Sequence, residues 1–465
     1  MLAIDPHIFR AYDIRGRADE QLTEDACRQI GQAFGSELRE RYSIEQPKVA
    51  VGRDARTHSI RLENAVVEGL MAAGCHCLLI GDTPSPVNYF TICDRGLDGG
   101  VQVTASHNPA HDNGLKLQLR KAEAFAGEDL QNLRERITRG DVLRGRGMEE
   151  PIDGLDPYLD HLAKMFAGVG EGLHVVVDSG NGIAGPTYCK ALRRVGCEVT
   201  ELYTEPDGTF PNHPADPSKH ETLKELRALV KKKKANLGFG YDGDGDRVGL
   251  VDEKGAIRTA DEILLLLARD HLQRHPGAPV VFTVSNSGTL QSEIEKWGGR
   301  PVMTKVGHSF VEQAMIDEDA LLGGEQSGHF FCGEDYYPYD DALVASLRLL
   351  TIMSESEQTV SELCAEFPAV YQMPELRPHC PDNKKADVIK RVTKHFQKDY
   401  DVNTLDGARI DFGDGAWAGI RMSNTSPCLS ICIEARSKKK LKEVQKIVLD
   451  HLAGYPEVAL DKPKK

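Results

Sequence analysis

The chain has 465 residues, of which 40% are hydrophobic and 28% charged, values typical of a globular protein with roughly three to four domains. Its formal net charge of −14 argues against a nucleic-acid-binding surface, so any phosphate site must be basic only locally. The 11 cysteines are scattered without a C-x-x-C pair, which indicates reduced thiols, no structural zinc and a cytoplasmic location.

The sequence also predicts no association with a membrane. Residues 1–16 carry early charges and lack the apolar core of a signal peptide. The apolar run from Ile263 to Ala268 is far too short to cross a bilayer. We therefore expect small-molecule partners, neither nucleic acid nor membrane, and a monomer or a weak homo-oligomer.

A strand-turn-helix-strand pattern first appears at residues 49–80. Leu62, Val66 and Leu70 are four positions apart, which predicts a helix between two short apolar strands. Gly74 follows that helix and suits a left-handed C-cap. The pattern predicts an α/β unit.

The next feature is the stretch from Val101 to Lys116, in which a short apolar strand ends at Ser106. A strand delivers such a side chain to the carboxyl edge of a sheet, where open α/β folds usually place their chemistry. Ser106 would need activation by a base, a metal or a covalent group. His107 is a poor base for it, because neighbouring side chains on an extended chain point to opposite faces. The alternative is an ordinary strand-to-helix connection.

The strand-helix pattern returns at residues 175–203, and its turn contains the spacing G-x-G-x-x-G at Gly180, Gly182 and Gly185. This motif is typical of dinucleotide-binding dehydrogenases, so an NAD-dependent dehydrogenase is a remote alternative. The glycines also fit a tight strand-to-helix turn without a ligand.

Asp242, Asp244 and Asp246 alternate with glycines, so that one cation can gather three carboxylates from a tight loop. Hard oxygen ligands of this kind suit magnesium or calcium. An EF-hand is excluded, because Arg247 stands where the loop requires glycine and residues 236–240 read as a buried strand. An Asp-Gly hairpin turn is the alternative interpretation.

A third copy of the pattern covers residues 280–303, so that mixed or parallel sheets covered on both faces are expected. The polar loop 323–329 follows and could bind hydroxyl groups. The loop 421–427 combines an arginine with hydroxyls and backbone N–H groups, which suits a phosphate dianion. Each loop taken alone could equally cap a helix.

The segment after the third copy has a different pattern, with a charged helix, three short strands and a final helix. The expected ranges are 384–395 for the helix, 408–412, 417–421 and 428–435 for the strands, and 438–452 for the last helix. The predicted fold class is therefore α/β, with three similar mixed α/β domains plus a smaller C-terminal α+β domain around a central cleft. The expected domains are 1–152, 153–256, 257–368 and 369–465.

The order of these motifs resembles the α-D-phosphohexomutase family, and most closely its bacterial phosphomannomutase/phosphoglucomutase branch. The resemblance spans nearly the whole chain. It rests on the motifs FRAYDIRG from Phe9, TASHNP around Ser106, DGDGDR from Asp242, GEQSGH from Gly324 and RMSNTSP from Arg421.

The resemblance implies reversible phosphoryl transfer between the 1- and 6-positions of a hexose phosphate, through phosphoserine and a hexose 1,6-bisphosphate. Magnesium would be held by Asp242, Asp244, Asp246 and an oxygen of phosphorylated Ser106. Further catalytic candidates by resemblance are Lys116, His329, Arg247 and His107. Candidate substrate-binding residues are Tyr12, Arg15, His308, Glu325, Ser327, Arg421, Ser423, Asn424 and Thr425.

Two departures from the mannose/glucose branch leave a phosphoglucosamine mutase open as an alternative. That branch usually has a lysine-bearing turn in the third domain and GEMSGH in the sugar loop, whereas this chain has 285–287 (SNS) and Gln326. Asn424, TASHNP and FRAYDIRG suit the mannose/glucose branch, which we favour. A non-catalytic binding module is disfavoured, because Ser106 and all three aspartates are present.

Overall fold

The computed structural model describes residues 4–423 and 426–460. The predicted phosphate ligands Asn424 and Thr425 lie outside the described residues. The chain divides into two compact units: the first contains residues up to 267 and 327–364, and the second contains residues 268–326 and those from 365 onward. The predicted domain boundaries remain a prediction.

The first unit begins with a mixed six-stranded sheet in the order β1-β5-β4-β2-β3-β6. Its strands are β1 Ile14–Arg17, β2 Lys48–Arg53, β3 His76–Asp82, β4 Gly99–Val103, β5 Asp112–Gln118 and β6 Met148–Pro151. The helices are α1 Glu24–Tyr42, α2 Ser59–Ala72, α3 Ser85–Asp94 and α4 Glu128–Arg139. Strands β2, β3, β4 and β6 are parallel, whereas β5 is antiparallel to both β1 and β4. Apolar side chains from α1, α2 and the central strands form the core.

The same unit contains a second mixed sheet of five strands in the order β11-β10-β9-β7-β8. Its elements are α5 Leu155–Met165, β7 His174–Asp178, α6 Ala184–Arg194, β8 Glu198–Leu202, α7 Lys224–Lys233, β9 Leu237–Tyr241, β10 Val248–Asp252 and β11 Ile257–Arg258. Strand β7 is parallel to β8 and β9, and β10 is antiparallel to β9. The expectation of a buried strand before the aspartate loop is confirmed, because every residue of β9 is buried.

The G-x-G-x-x-G turn of this sheet has a packing explanation. A Cβ on Gly185 would lie 2.0 Å from the carbonyl oxygen of Thr204, and one on Gly182 would lie 2.9 Å from that of Asp242. Neither position has room for a side chain, because backbone approaches both. The turn therefore requires glycine for close packing, without any dinucleotide.

The third group of elements contains parallel strands in the order β13-β12-β14. The elements are α8 Ala260–Arg274, β12 Pro279–Thr283, α9 Gly288–Lys296, β13 Arg300–Thr304, α10 His308–Glu318, β14 Leu322–Gly324, β15 Phe330–Cys332, α11 Ala342–Ser356 and α12 Val360–Ala365. Gly74, Gly196 and Gly298, after the helices of the three repeats, all have positive φ. The predicted left-handed C-caps are thus confirmed.

The last group is an antiparallel five-stranded sheet in the order β16-β20-β19-β18-β17. Its elements are β16 Tyr371–Gln372, α13 Asp382–Phe396, β17 Val402–Asn403, β18 Ala408–Asp411, β19 Trp417–Met422, β20 Leu429–Ala435 and α14 Lys438–Leu452. Helices and strands contribute to one core here, which confirms the α+β expectation. Within the described ranges, no helix combines the length and the apolar character needed to span a membrane.

Candidate active site

The predicted serine loop connects β4 to β5, which run antiparallel. The alternative of a strand-to-helix connection is therefore wrong, because the chain folds straight back into a strand after the turn. Ser106 is only 1% exposed and has φ of 51°, in the left-handed region. Its backbone N–H donates to the Thr104 hydroxyl at 2.9 Å, which stabilises this turn.

His107 lies closer to Ser106 than an extended chain would allow. The His107 Nδ1 atom is 3.1 Å from the Ser106 Oγ, because the left-handed turn rotates the two side chains to one side. The argument that adjacent side chains must diverge is thus wrong here. Burial and the charges of Arg247 and Arg15 hold the pKa of His107 well below its ordinary value, so the imidazole is neutral.

Two arginines donate hydrogen bonds to the serine loop. Arg56 is buried and donates through Nη2 to the carbonyls of Ser106 and Asn108, at 2.8 and 2.7 Å. Arg15 donates to the Ala105 carbonyl at 3.3 Å and to the Asn108 side chain at 3.0 Å. The loop is therefore fixed by guanidinium donors that bond to the Ala105, Ser106 and Asn108 carbonyls.

The three predicted metal ligands lie directly beside this loop. Asp242, Asp244 and Asp246 are at most 1% exposed, and one oxygen of each lies within 4.8 Å of the others. Ser106 Oγ donates to Asp242 Oδ2 at 2.6 Å. A Cβ on Gly243 would lie 2.3 Å from the Ser106 carbonyl oxygen, so glycine is required where the two loops meet.

The charges of this cluster are strongly coupled. Burial, together with the charges of Asp246 and Asp244, raises the pKa of Asp242 well above its ordinary value. Burial disfavours a charged Lys116, but Asp244 and Asp246 outweigh it and raise the lysine pKa well above its usual range. The Lys116 ammonium contacts Asp244 Oδ2 at 2.7 Å and also pairs with Asp246.

A divalent cation fits this donor set. The Oδ1 atoms of Asp244 and Asp246 are buried and have no hydrogen-bond partner among the described residues. Buried carboxylate oxygens without donors are costly unless a cation neutralises them. Carboxylate oxygens alternating with glycine are ligands that magnesium accepts. The sequence prediction of a cation loop is therefore consistent with the geometry.

The candidate proton-transfer residue His329 lies beside Asp246, one of these carboxylates. Arg247 Nε donates to His329 Nε2 at 3.1 Å, and Ser327 Oγ is 3.1 Å from His329 Nδ1. His329 Nε2 is 3.4 Å from Asp246 Oδ1. Because the arginine can only donate, Nε2 is the acceptor in this contact, and it could take up a proton only after the Arg247 N–H has left it.

Other predicted binding residues occupy defined positions within their own units. Tyr12 is half-buried in the bend that precedes β1, in the first unit. In the second unit, His308 begins α10, and the Glu325 carboxylate accepts from Gly307 N–H at 2.7 Å. That hydrogen bond fixes the direction of Glu325 beside the first turn of α10.

The predicted phosphate loop follows β19 in the second unit. Arg421 is half-buried near the end of that strand, and Ser423 is buried where the loop begins. Ser423 Oγ accepts from Ser426 N–H at 3.2 Å and from Arg377 at 3.0 Å. Lys385 donates to the carbonyls of Ser423 and Ser426. The loop thus has two basic neighbours that the sequence analysis did not identify.

Sequence reasoning also missed three residues of the first unit. Arg56 clamps the serine loop, and Ser85 Oγ donates to Asp244 at 2.6 Å. Asp340 Oδ2 lies 3.7 Å from His329 Nε2, and burial together with the charge of Asp246 raises the pKa of Asp340 to about 7. The sequence signal that could have identified these three residues is a polar residue just after a predicted strand or at the start of a helix.

The fold and this site define a multi-domain α/β enzyme that presents a serine hydroxyl to a carboxylate cluster. Models of the phosphoglucomutase/phosphomannomutase family match along the chain: alpha/beta/alpha domain I at residues 6–144, domain II at 156–255, domain III at 259–371 and the C-terminal domain at 375–451.

Individual relatives cover almost the full length. The chain is 39% identical to the phosphomannomutase/phosphoglucomutase of Pseudomonas aeruginosa, over 96% of this chain and 95% of that protein. It is 36% identical to a phosphoglucomutase of Neisseria gonorrhoeae, over 96% of each chain. A crystal structure of a phosphoglucomutase/phosphomannomutase family protein from Burkholderia thailandensis superposes with a TM-score of 0.91 at 36% identity, covering 98% of this chain and 99% of that one.

The chain belongs to the phosphoglucomutase/phosphomannomutase family, and it is an isomerase of the phosphotransferase type. The resemblance seen in the sequence motifs is therefore confirmed.

Proposed function

We propose that the protein interconverts the 1- and 6-phosphates of mannose and glucose through a phosphate carried on Ser106. The observation that carries this proposal is the 2.6 Å hydrogen bond from Ser106 Oγ to Asp242 Oδ2. A phosphoryl group on that oxygen would lie directly against the carboxylate cluster. Phosphoryl transfer depends chiefly on positioning and charge neutralisation, which such a placement supplies.

Asp242, Asp244 and Asp246, with an oxygen of phosphorylated Ser106, would hold magnesium. When bound there, the ion would neutralise charge on the transferred phosphoryl group. Arg247 lies beside the same carboxylates, with its Nε 3.9 Å from Asp242 Oδ2, and would add a second positive charge. The ammonium of Lys116 stays charged while it pairs with Asp244 and Asp246. It would leave these carboxylates only if another cation took its place.

The acceptor hydroxyl of the sugar must lose a proton as it attacks the phosphoserine phosphorus. We assign this proton to His329, whose Nε2 accepts the Arg247 N–H in this structure and would accept the sugar proton once that N–H turns to the phosphoryl group. The phosphorus–Ser106 Oγ bond breaks as the new bond to the sugar oxygen forms. The product is a hexose 1,6-bisphosphate, whose other phosphate must then return to Ser106.

Return of the other phosphate requires that the sugar be bound in two opposite orientations. We assign the phosphate that is not transferred to Arg421 and Ser423, with Asn424 and Thr425 as further predicted ligands. Glu325 and Ser327 would bind ring hydroxyls in both orientations. Tyr12, Arg15 and His308 remain predicted contacts to the substrate, although Arg15 already holds the serine loop. Hexose 1,6-bisphosphate would also serve as the activator that phosphorylates Ser106.

A phosphoglucosamine mutase is the second candidate, favoured by Gln326 and by Ser285, Asn286 and Ser287. The structure supplies a local role for part of this segment. Asn286 Oδ1 accepts from the backbone N–H of Thr283 at 2.9 Å, and Ser287 caps α9. Asn286 and Ser287 therefore stabilise the turn, which weakens the argument that these two residues indicate a glucosamine substrate.

The test is turnover of mannose 1-phosphate, glucose 1-phosphate and glucosamine 1-phosphate measured side by side. We expect the first two to be converted faster than the third. A preference for glucosamine 1-phosphate would replace this substrate assignment with the second candidate.

Intact-protein mass spectrometry tests the covalent step, because a resting phosphoenzyme should include a fraction about one phosphate heavier. Ser106→Ala should lose that fraction and nearly all activity, whereas Ser354→Ala, at an exposed serine of α11, should retain both. Activity of Ser106→Ala within about tenfold of the wild type would contradict the phosphoserine mechanism.

A further inference from the structure

The loop between β19 and β20 is held by a lysine that no motif includes. Lys385 lies in the first turn of α13 and is only 8% exposed. Its Nζ donates to the Ser423 carbonyl at 2.8 Å and to the Ser426 carbonyl at 3.1 Å. One ammonium group therefore links the two ends of the segment that contains the predicted phosphate ligands.

This buried ammonium also has an anionic partner. The Asp382 carboxylate lies 2.6 Å from Nζ and is itself largely exposed. The ammonium therefore has two hydrogen-bond acceptors and one ion-pair partner. Burying a charge is costly unless such partners are present. A buried lysine would therefore be unfavourable here if its only role were apolar packing.

The contacts also change the electrostatics of the loop. Carbonyl oxygens carry partial negative charge and would repel a phosphate dianion that approached them. Those of Ser423 and Ser426 are instead bonded to a cation. Charge-assisted hydrogen bonds of this type are stronger than neutral ones, so the ammonium holds both carbonyls firmly.

A second set of contacts completes the turn without involving Lys385. Ser423 Oγ accepts from Ser426 N–H at 3.2 Å and from Arg377 at 3.0 Å. Ser423 N–H donates to the Cys428 carbonyl at 3.0 Å. The turn should therefore persist when Lys385 is replaced, so that a substitution loosens the loop without unfolding the sheet.

We propose that Lys385 is a positioning residue for phosphate recognition: it holds Ser423 and Ser426, on either side of the predicted phosphate ligands, in place for the phosphate that is not transferred. This inference rests on the proposed role of the loop as the phosphate site. Because Lys385 acts on binding and not on the reacting phosphoryl group, it affects KM for the sugar phosphate more than kcat.

The test compares Lys385→Met with Lys384→Met, which removes the same charge from an exposed neighbour on α13. For glucose 1-phosphate, Lys385→Met should raise KM by about tenfold or more and change kcat by less than about threefold. Amide exchange in the peptide 421–428 should become faster in the same variant and lose its protection by glucose 1-phosphate. Lys385→Arg, which keeps charged donors, should restore KM in part.

The outcomes separate this inference from the proposed function. Arg421→Ala should also raise KM, because it removes the arginine that would contact the phosphate. If Arg421→Ala has no effect on KM, the loop is not the phosphate site and the proposed function is wrong at this point. If Arg421→Ala raises KM while Lys385→Met behaves like Lys384→Met, only the role of Lys385 is wrong. Should Lys385→Met not fold, Lys385→Gln carries the same comparison, with the same two outcomes.

Discussion

Asp244 illustrates how a single residue is used by several neighbours. Ser85 Oγ donates to its carboxylate at Oδ2 at 2.6 Å, and the Ser85 backbone N–H donates to its backbone carbonyl at 2.9 Å. Lys116 lies 2.7 Å from Oδ2. The remaining oxygen, Oδ1, is buried and has no donor among the described residues. It is therefore positioned to bind a cation.

Asp244→Asn should weaken magnesium binding by about tenfold or more, because it removes one of three anionic ligands. Isothermal titration with magnesium chloride measures this change. Asp160→Asn, on the exposed face of α5, is the control with the same change in charge. Equal magnesium affinities for Asp244→Asn and wild type would show that the loop is only a turn.

His213 forms an ion pair with Asp178, the last residue of β7. Its Nε2 lies 3.2 Å from both oxygens of Asp178, and its Nδ1 is 2.9 Å from the Pro214 carbonyl. Burial disfavours the imidazolium, but the hydrogen bond and the charge of Asp178, together with the hydrogen bond to Pro214, outweigh it. They raise the pKa of His213 above its ordinary value of 6.5.

This raised pKa predicts a pH-dependent contribution to stability. A histidine whose pKa is higher in the folded state stabilises that state fully below its unfolded pKa, and the contribution is lost as pH rises through the folded pKa. The difference in melting temperature between wild type and His213→Gln should therefore be larger at about pH 6 than at about pH 9. His220→Gln, at an exposed histidine, is the control. A difference that stays constant with pH would contradict the ion pair.

At the scale of elements, the β4–β5 loop and the β9–β10 loop meet backbone to backbone. Gly243 makes this possible, since a Cβ there would approach the Ser106 carbonyl to 2.3 Å. The same carbonyl accepts from Arg56 at 2.8 Å. The distance between the serine hydroxyl and the aspartates therefore depends on a glycine that binds nothing itself.

Gly243→Ala should lower kcat/KM by about a hundredfold or more, because a displacement of roughly 1 Å is enough to misalign reacting groups. Gly288→Ala is the matched control, since a Cβ there meets other atoms only at 3.5 Å or more. Kinetics with glucose 1-phosphate and circular dichroism on both variants separate misalignment from unfolding. A Gly243→Ala enzyme that is folded and fully active would show that this contact does not set the geometry.

At the scale of the whole molecule, the candidate functional residues are divided between two compact units. Ser106, the three aspartates and His329 belong to the first unit, and the loop after Arg421 belongs to the second. Each unit is assembled from separate stretches of chain. In the second unit, for example, Arg409 donates to the Asn286 carbonyl at 2.8 Å and Glu434 accepts from Gly288 N–H at 3.0 Å. The segment from 365 onward therefore packs on residues far earlier in the sequence.

Chelation should abolish turnover and destabilise chiefly the first unit, because three buried carboxylates then repel one another. Magnesium at a hundred times its dissociation constant should add about 2.7 kcal/mol to the free energy of unfolding. Hydrogen exchange should show magnesium-dependent protection in the loops around Ser106 and Asp244, and little change in β18 to β20. Full activity after exhaustive chelation would contradict the metal site.

The sequence by itself determined the local elements of this protein. Apolar spacing and a following glycine were sufficient for the helices of the three repeats, and the predicted last helix coincides with Lys438–Leu452. The alternation of aspartate and glycine after a buried strand was sufficient for a candidate cation loop. These features depend on residues close together in the chain, so their spacing alone specifies them.

Only the tertiary structure decided which of these elements meet. Ser106 and Asp242 are 136 residues apart, and their 2.6 Å contact depends on how two different sheets present their loops. The proximity of His107 to Ser106 arises from one positive φ angle, which the sequence did not reveal. Arg56 and Lys385 were missed for the same physical reason. Both residues donate to backbone carbonyls of distant loops. Every residue has such a carbonyl, so no residue type in the sequence marks the acceptor.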